Sequence, residues 1–357
     1  MLRVRVVDLG LVSPVRSQSV YHAVGYAFRP GDPPTILLVS TTDPYVSIGF
    51  HQDAEREVDL EHCRAAGLPV IRREVGGGAV YLDHNQVFTQ WIFPRDALPA
   101  RLEDRFALYV QPLVETYRSL GIDASWRPVN DVHVRGRKIG GTGAASLGDS
   151  EVLVGSLMFD FDHRQMARVL KVASEKMRDK VFQSLDEYVT TMRRELGTVP
   201  PRDEVVQRYL DACAAALGAE LVPGTLTAQE EELAVQLDER FLSGEWLFQK
   251  GGLRQRAIKI HEDVRLVETA VKVPGGLIRV IVRVHRGRID DLSLSGDFTL
   301  LPAVGLAAIE QAVRGLAAHR DELSWRIRDV YQALGMQSPG VTPDDFAGAI
   351  AQAVETA

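Results

Sequence analysis

Three consecutive glycines, Gly76-Gly77-Gly78, sit between two apolar, alternating stretches: Pro69-Val70-Ile71 before them and Val87-Phe88-Thr89-Gln90-Trp91-Ile92-Phe93 after. Glycine weakens a strand, so a triplet between two strands marks a bend that something must approach closely. Without Cβ atoms, successive N–H groups can turn toward an anion, and Arg72-Arg73 just ahead supply positive charge. An ordinary loop or bulge would carry the same letters, so a second stretch is needed to decide. That stretch is Asn130-Asp131-Val132-His133-Val134-Arg135-Gly136-Arg137-Lys138-Ile139-Gly140-Gly141-Thr142-Gly143.

Arg135-Gly136 reads as a hairpin turn after the alternating Val132 and Val134. The returning strand starts at Arg137, with Lys138, Gly140, Thr142 and Ala144 expected on one face and Arg137, Ile139, Gly141, Gly143 and Ala145 on the other. Nothing after Lys138 and Ile139 is large, so open volume is expected beside the lysine. A lysine is a point-charge ligand for phosphate and can polarise a carbonyl oxygen. Asp131 could hold magnesium, which favours one carboxylate together with substrate phosphate oxygens. Taken alone, a surface lysine in a glycine-rich hairpin explains the same residues.

The 357 residues suffice for two domains. Hydrophobic content of 45% and charged content of 25% are those of a globular protein. A net charge of −7 argues against a general nucleic-acid binder. The two cysteines, Cys63 and Cys213, fall in helical patterns as small core residues; no disulfide framework is implied, and a cytoplasmic location is expected. The start of the chain alternates like a strand rather than a signal peptide, and no run is long enough for a membrane span. The nine histidines show no metal-ligand spacing.

Periodicity predicts a strand over 2–10, a helix from Pro14 to about Phe28 with Ser13 as N-cap, strands over 35–41 and 45–50, and a short helix over 60–66. Further helices are expected over 102–120, across 163–218 with a break at Pro200-Pro201, and over 227–242. Several strands fill 124–161. From about Gly252 a second unit has strands over 264–273, 277–284 and 288–294, then helices over 303–316, 320–334 and 344–354.

The two motif stretches together resemble the signature of the lipoate–protein ligase A family, within the fold group of biotin ligases and lipoyl/octanoyl transferases. The matching residues are Arg72-Arg73, Gly76–Gly78, Ala79-Val80-Tyr81, Asn130-Asp131 and Arg137-Lys138-Ile139. Upstream, Ser47-Ile48-Gly49-Phe50-His51-Gln52 resembles the family's Ile-Gly-x-x-Gln strand end. Downstream, Val154-Gly155-Ser156-Leu157 resembles its Gly-Thr-Leu strand, and residues 171–180, with Lys176 and Lys180, resemble the basic segment that closes over the adenylate. Likeness to the family's accessory domain continues, more weakly, through 275–279 and 289–298. Three positions depart from the pattern: Val75 stands for Ser or Thr, Leu82 for His, and Gln86 for Asn.

The resemblance implies an α+β fold: a large, class II synthetase-like catalytic domain (1–250) with mixed and antiparallel sheets flanked by helices, and a small α+β accessory domain (251–357). It implies ATP-dependent activation of lipoate to lipoyl-AMP and transfer to a lysine of a carrier protein. Lys138 is then the catalytic residue, and Asp131 the magnesium ligand. Substrate and ATP contacts fall to Arg72, Gly76, Gly77, Gly78, Ala79, Tyr81, Gln86, Asn130, Asp131, Gly140, Thr142, Ala144, Gly155, Lys176 and Lys180. ATP, Mg2+ and lipoate are expected; zinc, haem and flavin are not. Implied acceptors are lipoyl domains of 2-oxoacid dehydrogenases, the glycine-cleavage H protein, or a specialised H-protein-like carrier such as the lipoate-binding protein of sulfur oxidation; nucleic acid and membrane are not expected as partners. The alternatives are a transferase working through a cysteine acyl-enzyme, a biotin ligase, and a non-catalytic lipoyl-binding protein.

Overall fold

The computed structural model describes residues 2–250 and 264–355. The boundary expected near Gly252 lies outside them. The chain clusters into two compact units: Met1–Ser47, Val58–Arg73 and Val80–Ser243 form the first, and Ile48–Glu57, Glu74–Ala79 and Gly244–Ala357 the second.

The first unit holds the strands β1 (Leu2–Val12), β2 (Thr35–Thr41), β3 (Tyr45–Ile48, whose last residue falls in the second unit), β4 (Val70–Arg72), β5 (Val80–Leu82), β6 (Gln86–Pro94), β7 (Ala124–Arg127), β8 (Asp131–Val134), β9 (Arg137–Gly141), β10 (Gly143–Leu147), β11 (Ser150–Met158) and β12 (Ala219–Pro223). Six of them make one sheet in the order β10-β11-β6-β2-β1-β12; β4-β3-β5 and β7-β8-β9 make two three-stranded sheets. The large sheet is mixed: β10, β11, β6 and β2 pair antiparallel, whereas β2, β1 and β12 run parallel. Every residue of β2 is buried, which is why its sequence reads as a continuous apolar run rather than an alternation.

Helices cover both faces. Helix Pro14–Ala27 starts where expected, with Ser13 Oγ accepting the Arg16 N–H and proline in the first turn. Helix Leu102–Ser119 stops before Gly121, whose φ of +86° suits the turn. Against it packs helix Arg202–Leu217. Between these helices and the sheet, the buried Trp91 donates its Nε1–H to Tyr209 Oη (3.0 Å) and meets the Tyr109 ring edge-on. Burial of each such ring contributes about 1.5–3 kcal/mol. Strand β12 was not expected; it is short, ends in Pro223 and lies at the sheet edge, where a proline is tolerated.

The second unit is built on an antiparallel meander of β13 (Val264–Val273), β14 (Gly276–His285) and β15 (Arg288–Gly296). Ile278, Val280, Val282 and Val284 alternate onto one face and join Phe298, Ile309, Ile327 and Phe346 in a single core. Helices Gly305–Ala312, Arg320–Leu334 and Pro343–Glu355 supply the rest of it. The first of these is shorter than the expected 303–316. Segment Ile48–Glu57 belongs here too: Arg279 Nε donates to Glu57 Oε1 (2.7 Å), and the Gly296 N–H to the His51 carbonyl (3.1 Å).

Candidate active site

Arg135 and Gly136 both adopt positive φ, 48° and 82° respectively. That is the geometry that closes a two-residue hairpin. The turn sets Lys138 opposite His133. The pairing then slips: Val132 faces Gly140 and Asp131 faces Gly141, so Ile139 is the extra residue of a bulge. The strict alternation expected along this strand is therefore corrected. Past the bulge the lysine side chain lies over Gly141, where a Cβ would stand 3.0 Å from Nζ and 3.1 Å from Cε. Gly141 was not singled out from the sequence, yet its missing side chain is what lets Lys138 reach Asp131.

That contact is the centre of the site. Lys138 Nζ lies 2.7 Å from Asp131 Oδ1, with the lysine side chain 35% exposed and the aspartate's 22%. Asp131 Oδ2 is 3.7 Å from His133 Nε2, and burial lowers the His133 pKa against the pull of Asp131. The lysine backbone is clamped from its other side: Thr190 N–H donates to the Lys138 carbonyl (2.9 Å), and Val189 bridges it in parallel. Thr190 follows helix Glu175–Tyr188, a helix with no buried residue that carries the exposed Lys176 and Lys180 one turn apart. Tyr117 braces the site from below, its Oη donating to the Ile139 carbonyl (3.1 Å) and accepting the Met158 N–H (2.9 Å).

The continuous strand from Arg137 to Ala145 is also corrected. It breaks at Thr142, which is tied to Asn130 three times: Thr142 N–H and Oγ1 donate to the Asn130 carbonyl (2.9 and 3.0 Å), and Asn130 Nδ2 donates to the Thr142 carbonyl (2.5 Å). Gly140 consequently stays in the small β7-β8-β9 sheet, while Ala144 lies in the large sheet opposite Leu153. Gly155 lies over Tyr109, where a Cβ would meet the ring at 3.1 Å. Arg72 is completely buried at the end of β4. Arg73 donates to Ser47 Oγ (3.1 Å), and burial lowers its pKa, partly offset by Tyr21 and Tyr45. Tyr81 is buried, its N–H on Met166 Sδ and its phenol pushed up to about 12, chiefly by burial. Gln86 is 2% exposed, with Nε2 buried and lacking a partner among the described residues.

Gly76, Gly77, Gly78 and Ala79 belong to the second unit. There the glycines meet the chain's own backbone. A Cβ on Gly76 would stand 2.8 Å from the Phe298 carbonyl oxygen, and one on Gly49 would fall 1.9 Å from that of Gly77. Gln52 holds this bend, its Oε1 accepting the Gly49 N–H and its own N–H donating to the Gly49 carbonyl.

For metal chemistry the donor set is thin: among the described residues no group of three or more His, Cys, Asp or Glu could hold an ion. Asp131 Oδ1 is already taken by an ammonium, so the residues do not form a resident metal centre, and no step is derived through one. Cys63 and Cys213 are both buried; burial, helped by Asp59, pushes the Cys63 thiol up to about 11, and burial pushes Cys213 up to about 12. No helix among the described residues is long and apolar enough to cross a membrane.

The hairpin lysine and its aspartate stand on the antiparallel β7-β8-β9 sheet, beside the mixed six-stranded one. Residues 18–214 match the lipoyl protein ligase A/B catalytic domain, and the chain belongs to that family. Its relatives include both chemistries. It is 30% identical over 274 residues to the octanoyltransferase LipM of Kyrpidia tusciae, covering 69% of this chain and 98% of that one. It is 25% identical over 314 residues to the lipoate-protein ligase LplJ of Bacillus subtilis, covering 87% and 89%. A crystal structure of lipoate-protein ligase A bound with ATP superposes with a TM-score of 0.60 at 25% identity, covering 69% of this chain and 98% of that one.

Proposed function

We propose that this protein is an ATP-dependent lipoate–protein ligase. The observation that carries the reading is the state of its two thiols. A transferase of the acyl-enzyme type needs an accessible thiolate, whereas both cysteines here are buried with raised pKa values. The LplJ likeness, which spans 87% of this chain against 69% for LipM, supports the same choice.

In the proposed reaction an oxygen of the lipoate carboxylate attacks the α-phosphorus of ATP, and pyrophosphate leaves. The amine of a carrier lysine then attacks the acyl carbon of lipoyl-AMP, AMP leaves, and the amine gives up its proton. Both steps build negative charge around one acyl–phosphate centre, so one fixed cation serves both. Lys138 is that cation, and Asp131 and the Thr190 backbone hold it in place. Magnesium would enter only as the nucleotide's counter-ion; Asp131, paired with the Lys138 ammonium, serves the lysine rather than the metal. Gly76, Gly77, Gly78 and Ala79 are assigned to substrate and nucleotide on the family resemblance alone. Arg72, Tyr81, Gln86, Asn130, Gly140, Thr142, Ala144, Gly155, Lys176 and Lys180 are assigned to substrate and nucleotide. Residues 1–250 would carry the chemistry and 251–357 the accessory role. Proposed acceptors are lipoyl domains of 2-oxoacid dehydrogenases, H protein or an H-protein-like carrier.

The LipM likeness favours one second reading, ATP-independent transfer from a preformed octanoyl donor. ATP–pyrophosphate exchange with lipoate, octanoate and biotin tests the choice. Exchange that depends on lipoate is expected. Transfer from an octanoylated carrier without ATP, in a chain that shows no exchange, would refute the ligase reading.

A further inference from the structure

Lys138 sits on β9, the edge strand of the β7-β8-β9 sheet. An edge strand that continues into two consecutive glycines, Gly140 and Gly141, has little of its own to fix a side chain. On the side away from β8 the strap Val189-Thr190 meets the lysine backbone, Val189 by a parallel bridge and Thr190 by its N–H on the Lys138 carbonyl (2.9 Å). Whatever holds this strap therefore also holds the lysine.

A short helix, Met192–Leu196, follows the strap, with Thr191 as its N-cap. Two neighbours on this helix reach back. Arg194 Nη1 donates to the Val189 carbonyl (3.3 Å) and to the Asp186 carbonyl (2.6 Å). Glu195 Oε1 accepts the Thr190 hydroxyl (2.6 Å), and its Oε2 takes the guanidinium of Arg135 in the hairpin turn. The Glu195 side chain is only 6% exposed. A carboxylate buried to that degree is costly unless its oxygens are met. Here one oxygen is met from the strap and the other from the turn. The Arg135 side chain is 74% exposed, so the ion pair itself contributes little to stability. What the pair supplies is geometry: one carboxylate joins the turn that precedes the lysine to the strap that meets it.

We infer that Glu195 is a positioning residue for Lys138: through Thr190 on one side and Arg135 on the other, it holds the hairpin against the strap and so sets where the ammonium stands beside Asp131. Glu195 acts through these two partners and touches no reacting atom. The inference rests on the ligase reading for the task of the lysine, whereas the clamp itself is a matter of geometry. Three substitutions separate its parts. Glu195→Gln keeps an acceptor for Thr190 and gives up the charge that draws Arg135. Thr190→Val keeps the shape and the backbone N–H and removes the hydroxyl. Thr190→Ser restores the hydroxyl.

The test uses the full chain and two measurements: the kinetics of lipoate-dependent pyrophosphate exchange, and the ε-carbon NMR signal of Lys138 in protein labelled with carbon-13 lysine, assigned by its loss in Lys138→Arg. Glu195→Gln and Thr190→Val should each lower kcat about tenfold and leave KM for ATP and for lipoate within about twofold, the mark of a displaced catalytic group rather than of lost binding. Both should also move the Lys138 signal, and Thr190→Ser should return kcat and signal to their original values. A loss of stability in urea with kcat and the Lys138 signal unchanged would make Glu195 a structural residue and overturn the inference. A Thr190→Ser chain that behaves like Thr190→Val would overturn it too. A chain without exchange, whose Lys138 signal still moves in Glu195→Gln and Thr190→Val and returns in Thr190→Ser, would refute the ligase reading and keep this one.

Discussion

Lys138 Nζ and Asp131 Oδ1 stand 2.7 Å apart because a bulge at Ile139 turns the lysine side chain over a residue that has no side chain of its own, Gly141. The pair is partly open to solvent, which suits a cation that must meet a substrate's charge and sets what each substitution should do.

Lys138→Ala should lower lipoyl-AMP formation about 10²–10³-fold or more, the loss typical of removing one donor to developing charge. The same change should alter stability by no more than about 1 kcal/mol, because partly exposed ion pairs contribute little. Exchange kinetics and urea denaturation measure the two effects separately. A large loss of stability would make the lysine a structural residue.

Gly141→Ala should act on the lysine without touching it chemically. The new Cβ would lie 3.0 Å from Nζ, so the end of the lysine side chain must shift by a few tenths of an ångström. A misplacement of about 1 Å costs catalysis up to about 10²-fold, and a smaller shift costs correspondingly less. A kcat loss of a few-fold with KM for ATP near its original value is expected, and unchanged kcat would show that the lysine does not need this position.

In the second unit a Cβ on Gly49 would sit 1.9 Å from the Gly77 carbonyl oxygen. Backbone has to move to admit it, so Gly49→Ala should be severely destabilising. Chemical denaturation of the full chain followed by tryptophan fluorescence and circular dichroism reads the effect. An alanine tolerated there would mean that the two backbone segments do not meet.

His22 gives a pH dependence of stability. It is buried, with Nδ1 2.6 Å from the Gln18 carbonyl, and burial pushes its pKa down to about 3 from 6.5. The unfolded chain therefore takes up the proton first. Its contribution is intact above pH 6.5 and is lost as pH falls toward 3, at about 1.4 kcal/mol per pH unit. His22→Asn should flatten that slope in urea midpoints measured between pH 7 and 4, whatever it does to stability at pH 7.

Much of this was legible in the sequence, for identifiable reasons. Ser13-Pro14, Gly121 and Arg135-Gly136 carry local signals, and the structure ends or turns its elements there. The lysine hairpin followed from the same kind of signal. The bulge at Ile139 and the break at Thr142 did not, because they depend on register with β8 and on the triple tie to Asn130, neither of which leaves a periodic trace. The glycine triplet announced a close approach, but one group that makes it, the Phe298 carbonyl, lies more than two hundred residues away. The clamp from Thr190 on Lys138 is a backbone contact that side-chain patterns do not encode.

In the proposed reaction a fixed lysine, and not a thiol, serves an acyl-adenylate. Lipoate-dependent ATP–pyrophosphate exchange by the unaltered chain, by Lys138→Ala and by a Cys63→Ala/Cys213→Ala double variant tests it most directly. Exchange should persist without either cysteine and vanish without the lysine. Exchange that survives in Lys138→Ala, or acyl transfer that disappears with the thiols, would contradict it.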